Sequence, residues 1–213
     1  ADLRPCAVPK RRRPPGPGRA RWSGAQTVGL RRHGQTSPVR LFVAVALPAP
    51  IVELLEALPR PEARAVRWTT PAQWHITLRF LGEVDELTGV TDAVHGLAGR
   101  FDTGDIEARL GPESRWFPGR RVLRVPVAGL DALAGRVRAL TARWGEDDEP
   151  GFSGHVTLAR ARGRGGGPPH LAGVPVEGRF DVARVGVFAS TLGTGNASYE
   201  ALADVPIVRS HPA

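Results

Sequence analysis

Cysteine is almost absent from this 213-residue chain, whose one thiol is Cys6. A single cysteine excludes a disulfide framework and a cluster of thiolate metal ligands, and it offers no structured setting for a cysteine nucleophile. Apolar runs are short, and none approaches the ~20 residues that a membrane-spanning helix needs. The first residues also lack the apolar core of a secretory signal. These absences predict a cytoplasmic protein that does not associate with a membrane.

Methionine is missing altogether, so no residue of the chain marks a translation start. Residues 1–38 hold nine of the 29 Lys and Arg residues but one of the 21 Asp and Glu residues, so the remainder carries 20 of each sign and is neutral. This tail is rich in Arg, Pro and Gly, and we expect it to be disordered. We interpret it as a stretch upstream of the native start, and a nucleic-acid patch at Arg11-Arg12-Arg13 is the alternative.

Residues 39–208 carry the periodic patterns of one domain, and residues 209–213 form a short C-terminal tail. Apolar residues spaced three and four apart predict helices within residues 51–58, 87–97 and 130–144. Continuous or alternating apolar runs predict the strands, and the last two are expected over 180–190 and 198–208. This order of elements suggests an α+β fold with two similar lobes.

The pattern His-x-Thr-Leu occurs twice, at residues 75–78 and 155–158. Each copy lies in a run of β-branched and apolar residues, which predicts a strand. Because side chains alternate faces along a strand, the His and the Thr of each copy share one face and the apolar residues fill the other. An imidazole beside a hydroxyl, presented twice, suits acid–base chemistry on a phosphate. The alternative is a pair of half-buried strand histidines that are hydrogen-bonded to a hydroxyl.

Strict alternation also assigns the arginines of these two strands. Arg79 shares parity with His75, so it is predicted to contact substrate in the cleft or, at an open sheet edge, to face solvent. Arg160 has the opposite parity from His155, so it contacts a substrate phosphate only where the strand bends.

Other polar segments give weaker indications of a site. Glu146-Asp147-Asp148-Glu149 could bind a metal, but four adjacent carboxylates lack a ligand geometry and a solvated loop is the favoured interpretation. The Gly-rich stretch 163–169 resembles no phosphate-binding loop, because no Lys-Ser/Thr follows it. The sequence holds no His-x-x-x-His pair, cysteine cluster or calcium-loop spacing, so it calls for no metal and no other cofactor.

The two motifs resemble those of the 2H phosphoesterase superfamily, and most closely its RNA 2',3'-cyclic phosphodiesterase branch, also called the 2'-5' RNA ligase family. The likeness covers about residues 39–208 and extends to residues 40–44, 68–71 and 75–82 and to Phe152, Ser190, Leu192 and Tyr199. One departure is Gly154, because the family commonly has proline directly before the second His.

The resemblance implies two pseudo-symmetric lobes, each an antiparallel sheet with packed helices, around a central cleft. It implies that His75 is the proton donor and His155 the proton acceptor, although the residues alone do not order them. Thr77 and Thr157 can donate hydrogen bonds to the non-bridging phosphate oxygens, where charge builds.

The resemblance also implies that Phe42 and Tyr199 stack on a nucleobase. Packing in the core is the alternative for aromatic residues on strands.

The expected activity is hydrolysis of RNA 2',3'-cyclic phosphate ends to 2'-phosphomonoesters without a metal, with reversible 2'-5' ligation as a side activity. The expected substrates are RNA ends or small cyclic nucleotides, and the expected oligomeric state is a monomer. One alternative is a non-catalytic module that binds RNA ends or nucleotides in the same cleft. Another is a nucleic-acid-binding protein that acts through the basic tail and shows steep salt dependence.

Overall fold

The computed structural model describes residues 39–145, 151–192 and 197–209. The tail over residues 1–38 and the acidic cluster over 146–149 lie outside the described residues, as do residues 210–213.

The described residues form ten strands and three α-helices. The strands are β1 (Val39–Ala46), β2 (Val66–Trp68), β3 (His75–Val84), β4 (Glu107–Leu110), β5 (Arg115–Trp116), β6 (Val122–Ala128), β7 (His155–Ala161), β8 (Gly178–Asp181), β9 (Arg184–Leu192) and β10 (Ala197–Pro206). The helices are α1 (Ala49–Glu56), α2 (Leu87–His95) and α3 (Asp131–Leu140). No helix in the described part of the chain is long and apolar enough to cross a membrane.

The strands join into one antiparallel sheet with the order β10-β9-β1-β3-β7-β6-β4-β8, and β2 pairs with β7 while β5 pairs with β6. The two motif strands, β3 and β7, are therefore neighbours at the centre of the sheet. Strands from the beginning and the end of the chain lie on the β3 side, and strands from its middle lie on the β7 side. This arrangement confirms the α+β class with one antiparallel lobe on each side of the motif strands.

One predicted strand is divided in two. The segment over 180–190 was expected to be continuous, but the chain turns at Val182 and Ala183, between β8 and β9. The prediction is wrong because β8 pairs with β4 in one lobe whereas β9 pairs with β1 in the other. A run of apolar residues does not reveal that its two halves have different partners.

The three helices cover one face of the sheet and enclose the main core. Leu41, Val43 and Val45 of β1 point into this core, together with the buried residues of all three helices. The opposite face, called the open face below, carries Phe42 and Ala44 of β1, which form a small separate apolar cluster with Phe188 of β9. Burial of a phenylalanine side chain contributes about 1.5–3 kcal/mol to the stability of a fold. This cluster therefore provides a stable apolar surface on the open face of the lobe that contains β1 and β9.

Candidate active site

The first motif strand carries a β-bulge at the leucine of its His-x-Thr-Leu sequence. Thr77 pairs with Ala44 of β1, and Arg79 pairs with the next residue back, Val43. Leu78 is therefore an extra residue in β3. A bulge of this kind reverses the alternation of side chains beyond it.

The second motif strand carries a bulge at the equivalent position. Thr157 pairs with Arg124 of β6, and Ala159 pairs with Leu123. Leu158 is therefore the extra residue of β7. The sequence repeat His-x-Thr-Leu thus corresponds to a repeated backbone irregularity as well as to a repeated set of side chains.

The two bulges decide which side chains reach the open face. In β3, Arg79 is turned toward the helices and is 4 % exposed, whereas Phe80 lies on the open face and is 58 % exposed. In β7, the bulge at Leu158 reverses the alternation in the same way and brings Arg160 to the face that carries His155. The strand irregularity on which a phosphate contact by Arg160 depends is therefore present. Phe80 and Arg160 occupy equivalent positions in the two motifs. Phe80 was not among the predicted site residues, because strict alternation from His75 places it on the opposite face of β3.

The prediction that Arg79 faces the cleft is wrong. Its Nη1 donates hydrogen bonds to the Arg138 carbonyl oxygen at 2.7 Å and to Thr141 Oγ1 at 3.0 Å, and its Nη2 donates to the Trp144 carbonyl oxygen at 2.8 Å. These acceptors lie at and just beyond the C-terminus of α3, where a cation interacts favourably with the helix dipole. Arg79 therefore fixes the end of α3 to the central strand of the sheet.

The pairing of Ile76 with Val156 positions the two motifs relative to each other. In an antiparallel pair with this register, each motif histidine lies across from the threonine of the other strand. Neighbouring strands are about 4.8 Å apart and two residues span about 6.6 Å, so the backbones at His75 and His155 are separated by roughly 8 Å along the diagonal. A phosphate centred between the two histidines and the two threonines of the motifs would have an imidazole on each side.

Both imidazoles are held by the same type of hydrogen bond. His75 Nδ1 lies 2.8 Å from the Gln73 carbonyl oxygen, and His155 Nδ1 lies 2.7 Å from the Ser153 carbonyl oxygen. A carbonyl oxygen only accepts, so Nδ1 carries the proton and Nε2 keeps its lone pair in the neutral ring. Nε2 of each ring is therefore the atom that can exchange a proton with a substrate.

His75 is enclosed by aromatic rings. The centroids of Phe42 and Tyr199 each lie 4.9 Å from its own, and Phe42 also stacks on Phe188 at 5.3 Å. Phe42 is 2 % exposed, so the prediction that it stacks on a nucleobase is wrong; it supports the imidazole from below. Tyr199 is half-buried with its ring edge against His75, and its contact with a base stays a prediction.

His155 has a different set of neighbours, which sequence analysis missed. Its ring lies edge-on to Phe117, with centroids 4.9 Å apart and an interplanar angle of 89°. The Arg124 guanidinium lies 3.9 Å from the Phe117 ring centroid and donates to Ser153 Oγ at 3.3 Å. The sequence of β6 does indicate the face of Arg124, because residues 123, 125 and 127 of this strand are apolar. These three residues are buried in the core, so Arg124 lies on the opposite face.

Thr69 supports the bulge of β7 from the neighbouring segment. Its N–H donates to the Leu158 carbonyl oxygen at 2.9 Å. Its hydroxyl lies 2.7 and 2.8 Å from the carbonyl oxygens of Thr157 and Leu158, which share its one proton, and it accepts from Trp74 Nε1 at 2.9 Å. The segment that precedes the first motif therefore fixes the backbone of the second.

Burial lowers the pKa of both motif histidines. Desolvation, opposed by the hydrogen bond to a backbone carbonyl and reinforced by the charges of His155 and Arg160, lowers the pKa of His75 from 6.5 to about 4. Desolvation is also the largest cause at His155, whose pKa is lowered further by Arg124 and Arg160. Both rings are therefore neutral near pH 7 in the free protein. A bound anion raises the pKa of a nearby imidazole, so substrate itself can supply the protonated partner.

The shifted pKa of His75 predicts that the fold loses stability in mild acid. Its pKa is 6.5 in the unfolded chain and about 4 in the folded protein, so below pH 6.5 the unfolded state takes up a proton that the folded state does not. The free energy of unfolding should therefore decrease as the pH is lowered. Proton uptake by His75 in the unfolded chain should account for about 3 kcal/mol of that decrease near pH 4. Urea unfolding between pH 7 and pH 4 should show a smaller loss of unfolding free energy for His75→Asn than for the wild type.

The control is His95→Asn, at an exposed position of α2, and it should follow the wild type. Identical profiles for the wild type and both variants would contradict the assignment of this pH dependence to His75.

The arrangement brings acid–base groups and hydrogen-bond donors to one place. Two Nε2 atoms on opposite sides of a phosphate can act as base and acid, and the two threonine hydroxyls can donate to its non-bridging oxygens. Within the described residues no group of three or more His, Cys, Asp or Glu side chains could hold a metal ion.

Comparisons with known proteins agree with this geometry. A family model of LigT-like phosphoesterases matches residues 42–108. The protein TT0787 of Thermus thermophilus is 30% identical over 81% of this chain and 100% of its own length, with a TM-score of 0.67. LigT of E. coli, solved in complex with 3'-AMP, is 27% identical over 81% of this chain and 100% of its own, with a TM-score of 0.58. No protein among the curated sequences matches the chain.

Proposed function

The chain belongs to the LigT-like phosphoesterases of the 2H phosphoesterase superfamily, and we propose that it hydrolyses RNA 2',3'-cyclic phosphate ends to 2'-phosphomonoesters. The observation that carries this proposal is the adjacent pair of motif strands. Each strand presents an imidazole whose Nδ1 is bound to a backbone carbonyl, and each imidazole lies across from a threonine of the other strand.

The reaction needs one proton acceptor and one proton donor. Water attacks phosphorus in line with the 3' oxygen and transfers a proton to Nε2 of His155, and the P–O3' bond breaks as Nε2–H of His75 protonates the departing oxygen. Thr77 and Thr157 donate hydrogen bonds to the non-bridging oxygens. Each positioned acid or base contributes typically about 10²–10⁴-fold in rate.

The donor role places a condition on His75. Because its pKa is about 4 in the free protein, it must gain a proton as the anionic substrate binds. The negative charge of the phosphate favours the imidazolium, and the excluded solvent strengthens that attraction.

The same groups support 2'-5' ligation as a reversible side activity. When a 5'-hydroxyl of a second RNA replaces water, its attack on the cyclic phosphate with departure of the 3' oxygen leaves a 2'-5' phosphodiester. The base and the acid exchange roles in the reverse direction.

Known structures of a relative support a nucleotide as the ligand. LigT of E. coli has been solved with 3'-AMP, with NADP+ and with ATP. We propose that the open face around the two motifs of this chain binds a nucleotide, with the phosphate between the histidines.

Turnover of a nucleoside 2',3'-cyclic phosphate by the full chain, with EDTA present, tests the proposal. Chromatography or 31P NMR should show a 2'-phosphomonoester as the product, and EDTA should not slow its formation. A folded chain that binds the nucleotide without turnover would instead indicate a non-catalytic nucleotide-binding module. Inhibition by EDTA would contradict the metal-independent mechanism.

A further inference from the structure

Three arginines surround the second motif without a carboxylate partner among the described residues. They are Arg67 of β2, Arg124 of β6 and Arg160 of β7, and none takes part in the ion pairs of the described chain. Residues 39–213 carry equal numbers of acidic and basic side chains. The local excess of positive charge is therefore a result of how the fold distributes its charges, and it attracts an anionic ligand.

The spacing of these arginines exceeds the size of one phosphate. Arg160 pairs with Arg67 on one side and with Val122 on the other, and Arg124 is two residues along β6 from Val122. Directly opposed residues have Cβ atoms about 5 Å apart and diagonal neighbours about 7–8 Å, so the three side chains start from positions that span roughly 12 Å. Side chains that start this far apart can contact more than one phosphate at the same time.

Arg124 keeps donor groups that can bind an anion. The central carbon of its guanidinium lies over the Phe117 ring, 3.9 Å from the centroid. Its Nη1 donates to Ser153 Oγ at 3.3 Å, and its Nε is buried without a hydrogen-bond partner in the described part of the chain. Burial and the nearby charge of Arg115 lower the pKa of Arg124. Because Arg115 is paired with Glu113 at 3.2 Å, it is Arg124 that is left to bind an external anion.

A second pair of opposed arginines in the same lobe has its charge balanced. Arg109 of β4 pairs with Arg179 of β8, and Glu107 lies 3.5 Å from the Arg109 guanidinium. Asp181 faces Glu107 across the same two strands. Two acidic residues therefore accompany these two arginines, which distinguishes them from the cluster at the second motif and makes them a matched control.

We propose that Arg67 and Arg124 bind backbone phosphates of an oligonucleotide, beyond the terminal phosphate that lies at the two histidines. This inference rests on the proposed function and narrows its substrate. The site acts on a single-stranded oligonucleotide of three or more nucleotides in preference to a nucleoside cyclic phosphate. A groove of positive charge that follows the backbone is the usual way to bind single strands without reading their sequence.

The kinetic test compares a nucleoside 2',3'-cyclic phosphate with a trinucleotide that ends in the same group. Each phosphate contact on a single strand contributes about −0.7 to the slope of log affinity against log salt. When salt is raised from 50 to 200 mM, two such contacts should therefore lower kcat/KM for the trinucleotide about sevenfold more than kcat/KM for the mononucleotide. Arg67→Gln should lower the ratio of trinucleotide to mononucleotide kcat/KM about tenfold. Arg67→Lys, which keeps the charge, should retain most of that ratio, and the control Arg109→Gln should retain all of it.

A binding measurement decides the inference independently of turnover. Fluorescence anisotropy of a labelled trinucleotide with a 3'-phosphate should show weaker binding and a shallower salt slope for Arg67→Gln than for Arg109→Gln. The full chain is used throughout, so its basic tail contributes equally to every variant. Weakened binding without any turnover would support the arginine site and overturn the proposed hydrolysis. Mononucleotide turnover with equal trinucleotide binding in both variants would overturn the arginine site and leave the hydrolysis standing.

Discussion

Replacement of His75 or His155 by alanine is expected to lower kcat for 2',3'-cyclic phosphate hydrolysis by about 10²–10⁴-fold. Each variant removes the Nε2 atom that exchanges a proton with water or with the departing oxygen, and no other imidazole lies on the two motif strands. Steady-state kinetics at saturating substrate measure the effect. His95→Ala, at the exposed end of α2, is the control and should retain wild-type kcat. Retained activity in both motif variants would overturn the mechanism.

The same two variants assign the donor and the acceptor. A phosphodiester with a p-nitrophenolate leaving group needs no proton on the departing oxygen, so it should restore activity to the variant that lacks the acid. We expect restoration in His75→Ala and not in His155→Ala. The opposite pattern would make His75 the base, a role that also agrees with its low pKa in the free protein.

Replacement of Arg79 by methionine is expected to lower the free energy of unfolding by about 3 kcal/mol. The variant removes three hydrogen bonds from a buried guanidinium, and it leaves the carbonyl oxygens of Arg138 and Trp144 without that donor. Urea unfolding at pH 7 measures the loss. Because Arg79 points away from the open face, KM for the cyclic phosphate should not change at a temperature where the variant is folded.

Arg160→Met provides the contrast. Arg160 is exposed on the open face, so its replacement should change stability by no more than about 0.5 kcal/mol while it raises KM. An Arg79→Met variant with wild-type stability and a raised KM would contradict the burial of that side chain and favour the original prediction of a substrate contact.

The sequence by itself determined the elements that depend on local pattern. Apolar spacing of three and four residues predicted all three helices, because that spacing alone places one stripe of a helix against a core. Runs of apolar and β-branched residues predicted β1, β3 and β7, and alternation predicted β4 and β6, because these patterns match the faces of a sheet. The repeated His-x-Thr-Leu pattern was visible for the same reason, since a motif within four residues needs no knowledge of its surroundings.

The tertiary structure alone decided which side chains meet. The bulges at Leu78 and Leu158 arise where a strand is paired to a partner with one residue fewer, and they reverse the faces of Arg79, Phe80 and Arg160. The turn at residues 182–183 likewise depends on two different partner strands. The placement of Phe117 and Arg124 beside His155 depends on the pairing of β6 with β7. Strand pairing joins residues far apart in the chain, so periodicity within a segment carries no record of it.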